Sequence, residues 1–212
     1  MAKVKKSSVI LTCLLLALLC GVLFYIEGNA SKYIIRITRL CAINIVLALS
    51  MNLVNGFTGI FSLGHAGFMA IGAYSVALLT IPVAKKETIF MLEPLIAPLN
   101  TLTLPFGVAL IIGGLLAAAL AFLIGLPCLR LRGDYLAIAT LGFSEIIRIV
   151  ITNAQCLTNG AQGLKSIPAT ANIWWCYGIA LATIIFIALL ISSSYGRAFK
   201  AIREDEIAAE SM

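Results

Sequence analysis

The sequence predicts an all-α fold, a polytopic transmembrane helical bundle of about six spans. Three observations carry this. First, 61% of the 212 residues are hydrophobic and 11% are charged, with a mean hydropathy of +1.07. A soluble domain is roughly 45–50% apolar and about 25% charged, so this chain cannot cover its own surface with polar groups. Second, the apolar runs are long and continuous, whereas barrel strands alternate over about ten residues. Third, Lys and Arg fall in short clusters between the runs. A soluble domain, a disordered tail and a secreted disulfide scaffold are excluded. Helices satisfy their backbone polar groups internally, which lipid requires.

The first span is expected over Val9 to Ile26, behind Lys3, Lys5 and Lys6. A cleaved signal peptide is the rival reading, because Gly28-Asn29-Ala30 follows the apolar stretch as a small-residue site. The second span is expected over Tyr33 to Val54 and the third over Phe57 to Ile81. The connection to Leu104 is apolar and carries Pro82, Pro94 and Pro98, which suits a short interfacial helix. The fourth span runs from Pro105 to Leu126, with Pro in the first turn, where its missing N–H costs nothing, and Pro127 follows it. The fifth is expected over Tyr135 to Thr152 and the sixth over Ile173 to Ile191, before a polar segment from Ser192 to Met212.

Charge positions orient the chain. With a cytoplasmic N-terminus and six spans, the inner segments hold Lys3, Lys5, Lys6, Arg130, Arg132, Arg197, Lys200 and Arg203. The outer ones hold Lys32, Lys85, Lys86 and Lys165. Eight against four favours both termini inside. Arg36 and Arg39 lie near the outer end of span two and would snorkel outward. The net charge of +6 is scattered through short clusters, so no nucleic-acid partner is expected. No CxxC pair occurs and His65 has no ligand-spaced partner, so no metal or other cofactor is expected on this chain.

Three segments hold the candidate chemistry. Asn55 to Tyr74, NGFTGIFSLGHAGFMAIGAY, crowds Gly56, Gly59, Gly64, Gly67 and Gly72 together, with Ser62, Ala66 and Ala70 every fourth residue. Such a segment either packs tightly or breaks to line a substrate path. The two readings are compatible, and Gly59, Ser62, Gly64, His65 and Gly67 are its candidate residues. His65 reads first as a packed hydrogen-bonding group. Span four carries a second small-residue stripe, Gly113, Ala117, Ala121 and Gly125. Span five carries Glu145 and Arg148, three apart on one face, as a structural ion pair or part of a pathway. The third segment is the tail from Tyr195, YGRAFKAIREDEIAAESM, either a solvated helix or a docking helix. No catalytic set is visible. GAQGLKS at Gly160 to Ser166 lacks the Gly-Lys-Ser/Thr ending of a P-loop, so if the chain serves ATP-driven transport, another chain must supply the ATPase.

Four stretches, in order, resemble the permeases of bacterial branched-chain amino acid ABC importers, the LivM type more closely. They are GFTGIFSLGHAGFMAIGAY (Gly56 to Tyr74), LRLRGDYLAIATLGFSEIIR (Leu129 to Arg148), TNGAQGL (Thr158 to Leu164) and GRAFKAIREDEIAAES (Gly196 to Ser211). The resemblance implies an ABC importer permease fold and a single transmembrane permease domain over 1–212. It implies transport of leucine, isoleucine and valine across the inner membrane. The implied partners are ATPase subunits at the cytoplasmic face, a second homologous permease, a periplasmic or lipid-anchored binding protein, and membrane lipid. It also implies that residues 192–212 dock on the ATPase through Gly196, Arg197, Ala198, Ile202, Arg203, Glu204, Asp205, Glu206, Ala208, Ala209 and Glu210. Members of the family continue through further helices, so this chain is expected to be incomplete at its C-terminus. Relatives carrying urea, amides or other amino acids are the alternative, and an ion-coupled secondary transporter is another.

Overall fold

The computed structural model describes residues 6–90, 95–96, 99–131, 133–205 and 209, with side chains from residue 14 onward. Lys3, Lys5, Pro94, Pro98, Arg132, Glu206, Ala208 and Glu210 lie outside the described residues. Among the described residues the structure is all-helical. The helices are α1 (Lys6–Asn29), α2 (Lys32–Asn52), α3 (His65–Thr80), α4 (Val83–Ile89) and α5 (Phe106–Cys128), then α6 (Asp134–Asn153), α7 (Gln155–Thr158), α8 (Ile173–Ser192) and α9 (Ser194–Glu204). Four stretches here are long and apolar enough to cross a membrane: Lys32–Phe57, Phe106–Cys128, Asp134–Asn153 and Ile173–Ser192. The bent pair of α3 and α4, taken as one span, makes a fifth.

The expected spans agree closely with α1, α2, α5, α6 and α8. Pro105 caps α5 from just outside it, and Pro127 sits inside its last turn. The third span needs a correction. It was expected to start at Phe57, but helix resumes only at His65. The chain instead makes a π-turn over Leu53–Phe57 and runs without regular helix to Gly64. Gly59 explains this, because its φ of +73° does not belong to a right-handed helix. The remaining α3, 16 residues long, measures about 24 Å, short of a hydrocarbon core of about 30 Å.

Contacts group the chain into two units. One comprises residues up to Ala48 together with Ala171–Phe186. There the Trp174 indole donates to the Glu27 carboxylate at 2.6 Å, and the Tyr177 hydroxyl donates to the Thr38 carbonyl at 3.3 Å. Ala42 and Ile173 are fully buried. These two bonds tie the start of α8 to the end of α1 and to α2.

The other unit comprises Leu49–Thr170 and Ile187–Met212. Its centre is α3, α5 and α6, with α5 antiparallel to the other two. Small residues set the spacing. Gly72 faces Ala117 and Gly113, and a Cβ on Gly113 would lie 2.6 Å from Cγ2 of Val76 and 3.2 Å from the Gly72 carbonyl. Half of the expected stripe on span four is therefore a packing seam. At its other half, a Cβ on Gly125 would meet nothing within 4 Å.

The expected interfacial helix is α4, which leaves the α3 axis at 119°. Its Lys86 is 1% exposed and donates from Nζ to the carbonyls of Leu99 and Leu102 at 2.7 and 2.6 Å. The cation thereby ties down the connection to α5, above an apolar cluster of Leu78, Phe90 and Leu95.

The seam yields a prediction. Gly113→Leu overpacks the α3–α5 contact and should cost about 1–3 kcal/mol. Gly114→Leu, where a Cβ meets nothing within 4 Å, should be neutral. Thermal unfolding of the detergent-solubilised protein checks this: only the first variant should unfold at a lower temperature.

Candidate translocation site at a broken helix

The break between α2 and α3 is built by residues that replace the lost helical hydrogen bonds. The Thr58 N–H donates to the Leu53 carbonyl, and the Ile60 N–H to that of Val54, both at 3.3 Å. Beyond these, side chains take over. The Ser62 N–H donates to Oδ1 of Asn55 at 3.2 Å, and the Leu63 N–H donates to Oγ1 of Thr140 at 3.1 Å. The Thr140 hydroxyl in turn donates a hydrogen bond to the Ala137 carbonyl at 3.0 Å. A polar backbone group left unpaired in hydrocarbon costs several kcal/mol, so Asn55 and Thr140 make the unwound segment tolerable.

The glycine-rich segment does both of the things its glycines allow. It breaks at Gly59, and it packs closely at Gly67, where a Cβ would lie 3.0 Å from both Cα of Ser144 and Cδ1 of Ile147. Gly64 approaches Thr140 in the same seam. His65 opens α3, and its Nδ1 is buried without a hydrogen-bond partner among the described residues. Behind the break lies an apolar cavity of about 180 Å³, lined by Ser62, Gly64, Phe68, Gly125, Cys128 and Thr140 among others. Gly125, the open half of the span-four stripe, is part of this wall.

Glu145 and Arg148 pair with each other, Nε of Arg148 lying 2.9 Å from Oε2 of Glu145. Both are exposed on the chain, and they are not part of the cavity wall. The structure thus groups Gly59, Ser62, Gly64, His65 and Gly67 around the break and sets the ion pair apart.

The polar tail forms α9. Gly196 is buried in the turn from α8, Ile202 is half-buried, and Arg197, Ala198, Arg203, Glu204 and Asp205 are exposed. The Ala209 N–H donates to the Asp205 carbonyl at 3.0 Å. Arg203 reaches back to the break, donating to the Gly56 carbonyl at 3.3 Å. A cleft of about 250 Å³ lies between α9, residues 58–61 and the α5–α6 turn with Asp134.

At the far end of this unit a cleft of about 540 Å³ is lined by Lys85, Thr88, Asn159, Gln162, Lys165 and Ser166. The TNGAQGL stretch is its scaffold. Thr158 is buried and donates to the Ala154 carbonyl at 2.8 Å, and left-handed Asn159 closes α7. Among the described residues no three His, Cys, Asp or Glu side chains come together to hold a metal.

Sequence reasoning missed Asn55, Thr140 and Lys86. Thr140 sits inside the second resembling stretch, yet its partner Leu63 is 77 residues away, and no local pattern pairs them. Lys86 was legible only as a lysine in an apolar connection.

Thr140→Val keeps the shape and removes the acceptor for Leu63. It should destabilise the protein by about 1 kcal/mol, the low end of the cost of leaving a donor unsatisfied, because the Leu63 N–H is only half-buried, whereas Thr140→Ser should be close to neutral. Denaturation of the two variants in detergent separates them.

The family model described as branched-chain amino acid transport system / permease component matches residues 33–212. The chain is 36% identical to the high-affinity branched-chain amino acid transport system permease protein LivM of Escherichia coli, over 86% of this chain and 46% of that one. It is 35% identical to the LivM protein of Salmonella typhimurium, with the same coverage. It is 25% identical to a LivM permease protein of Methanocaldococcus jannaschii, over 76% of this chain and 54% of the relative. The chain spans about half the length of the curated relatives it matches. No solved structure matches.

Proposed function

Because the chain belongs to the permease family of branched-chain amino acid transport systems, we propose that it is the membrane-spanning permease part of an ATP-driven importer for leucine, isoleucine and valine. The observation that carries this is the match over residues 33–212, whose bounds take in the break, α6 and α9. ATP hydrolysis takes place on separate ATPase chains, and this chain needs no cofactor of its own. A second permease completes the path, and a periplasmic or lipid-anchored binding protein delivers the substrate.

The distribution of charge supports an orientation with α9 at the cytoplasmic face of the inner membrane. Arg130, Arg197, Lys200 and Arg203 lie at that end. The cleft with Lys85 and Lys165 then faces outward, where the binding protein docks. On this reading α9 is the ATPase-docking helix, with Gly196 setting its turn.

The path follows from the ion pair. Glu145 and Arg148 lie in the middle of a 20-residue span and are exposed on the chain. A charge at the bilayer centre costs about 2.5–3.5 kcal/mol on insertion scales. Their face of α6 is therefore turned to the second permease or to a water-filled path rather than to lipid. The apolar cavity behind the break supplies the space into which the broken segment moves during alternating access.

The test is uptake of labelled leucine into vesicles holding the full-length permease, the second permease, the ATPase chains and the binding protein. Uptake should require ATP and the binding protein, and excess isoleucine or valine should compete while urea and acetamide do not. A protonophore should change it by less than about twofold, below the usual range of coupled effects. Uptake driven by an ion gradient without ATP would overturn the reading in favour of a secondary transporter. In the same vesicles Glu145→Ala should cut uptake by at least about fivefold at unchanged permease level. The swap Glu145→Arg with Arg148→Glu should recover most of it.

A further inference from the structure

We propose that Arg203 is the residue through which α9 controls the break between α2 and α3, as a latch that sets the shape of residues 56–64. This rests on the permease reading above and deepens it. Three observations meet here. The α2 helix and its π-turn end at the break, where the last carbonyls have no helical donor. The Gly56 carbonyl is one of these, and Nη1 of Arg203 donates to it at 3.3 Å. A guanidinium at a helix C-terminus both caps a carbonyl and offsets the negative end of the helix dipole. The cap comes from another helix, 147 residues later.

The second observation is the fit at Gly59. A Cβ on Gly59 would lie 2.6 Å from Cγ of Arg203 and 3.4 Å from its Cβ. The arginine stem therefore lies directly against the one residue whose φ of +73° makes the break. Glycine is needed twice over, for its dihedral and for the room it leaves to Arg203. The third is the cleft of about 250 Å³ beside this contact, bounded by Thr58, Phe61, Leu131, Asp134 and Ile202. It leaves Arg203 space to withdraw without unpacking α3, α5 or α6.

A mechanism follows. When α9 is pulled or turned by its partner, the guanidinium leaves the Gly56 carbonyl and the stem leaves Gly59. The break then loses its cap at one end while Asn55 and Thr140 still hold it at Ser62 and Leu63. Residues 56–61 are the part free to change. Arg203 is a positioning residue, acting on the path through backbone and not through the substrate.

The experiment uses the full-length permease in the assembled transporter. Arg203→Ala, Arg203→Gln and Arg203→Lys are compared for co-purification of the ATPase chains, for basal ATP hydrolysis, for its stimulation by loaded binding protein, and for leucine uptake. Normalised to the ATPase chains that co-purify, Arg203→Ala should lower uptake at least about tenfold and lose the stimulation by loaded binding protein. Arg203→Lys should recover part of the uptake, since an ammonium still reaches a carbonyl but lacks the planar fork. If Arg203→Ala fails to accumulate, Arg203→Gln carries the test. It keeps a donor without the charge, and it should lower stimulation by at least about threefold.

Uptake and stimulation within about twofold of wild type in the accumulating variant would overturn the latch. Loss of the ATPase chains would also overturn it, because Arg203 would then be a docking contact. Failure of the wild-type assembly to show ATP-dependent uptake is a different result, which overturns the permease reading itself.

Discussion

A backbone that leaves the helix within a packed, apolar bundle needs partners for the N–H and C=O groups it frees. The segment from Leu53 to Gly64 finds side-chain partners in three places: Asn55 within the segment, Thr140 on α6 and Arg203 on α9. Two of these bring a distant part of the chain to the break. The α3–α6 seam is close because Thr140 must reach Leu63, and Gly64 and Gly67 leave room for it. The position of α9 is tied to the same place by the Gly56 carbonyl.

The rest of this unit supports the break from the opposite end. Lys86 holds the return to α5 through the carbonyls of Leu99 and Leu102, and the Gly113 seam holds α5 against α3. The core is thus rigid where α3, α5 and α6 touch and roomier where the cavity and the α9 cleft flank the unwound residues. The same logic gives the small-residue stripe of α5 two uses, with Gly113 and Ala117 packed and Ala121 and Gly125 left to wall a cavity.

Much of this was legible in the sequence, because hydropathy and helix length are local properties. The ends of α5, α6 and α8 follow from where apolar runs meet polar or proline residues, and the structure agrees closely. The glycine crowding announced a special segment, and the order of four motifs pointed to the family that the match over residues 33–212 establishes. The start of the third span was misplaced because the stretch around Ile60 and Phe61 is as apolar as a helix, and hydropathy does not record φ. Nothing local distinguishes Ile60, which is unwound, from Ile71, which is helical.

By itself the sequence determined that the chain is helical, that it carries several apolar runs of membrane-spanning length, and that one glycine-rich segment is unlike the rest. Those depend on transfer free energy and on the steric freedom of glycine, which are properties of short stretches. Tertiary structure decided which groups satisfy that segment. The pairings of Leu63 with Thr140, Gly56 with Arg203 and Lys86 with Leu99 and Leu102 join residues from 13 to 147 positions apart. A hydrogen bond forms between groups that packing brings within about 3 Å, and only the folded chain sets which groups those are.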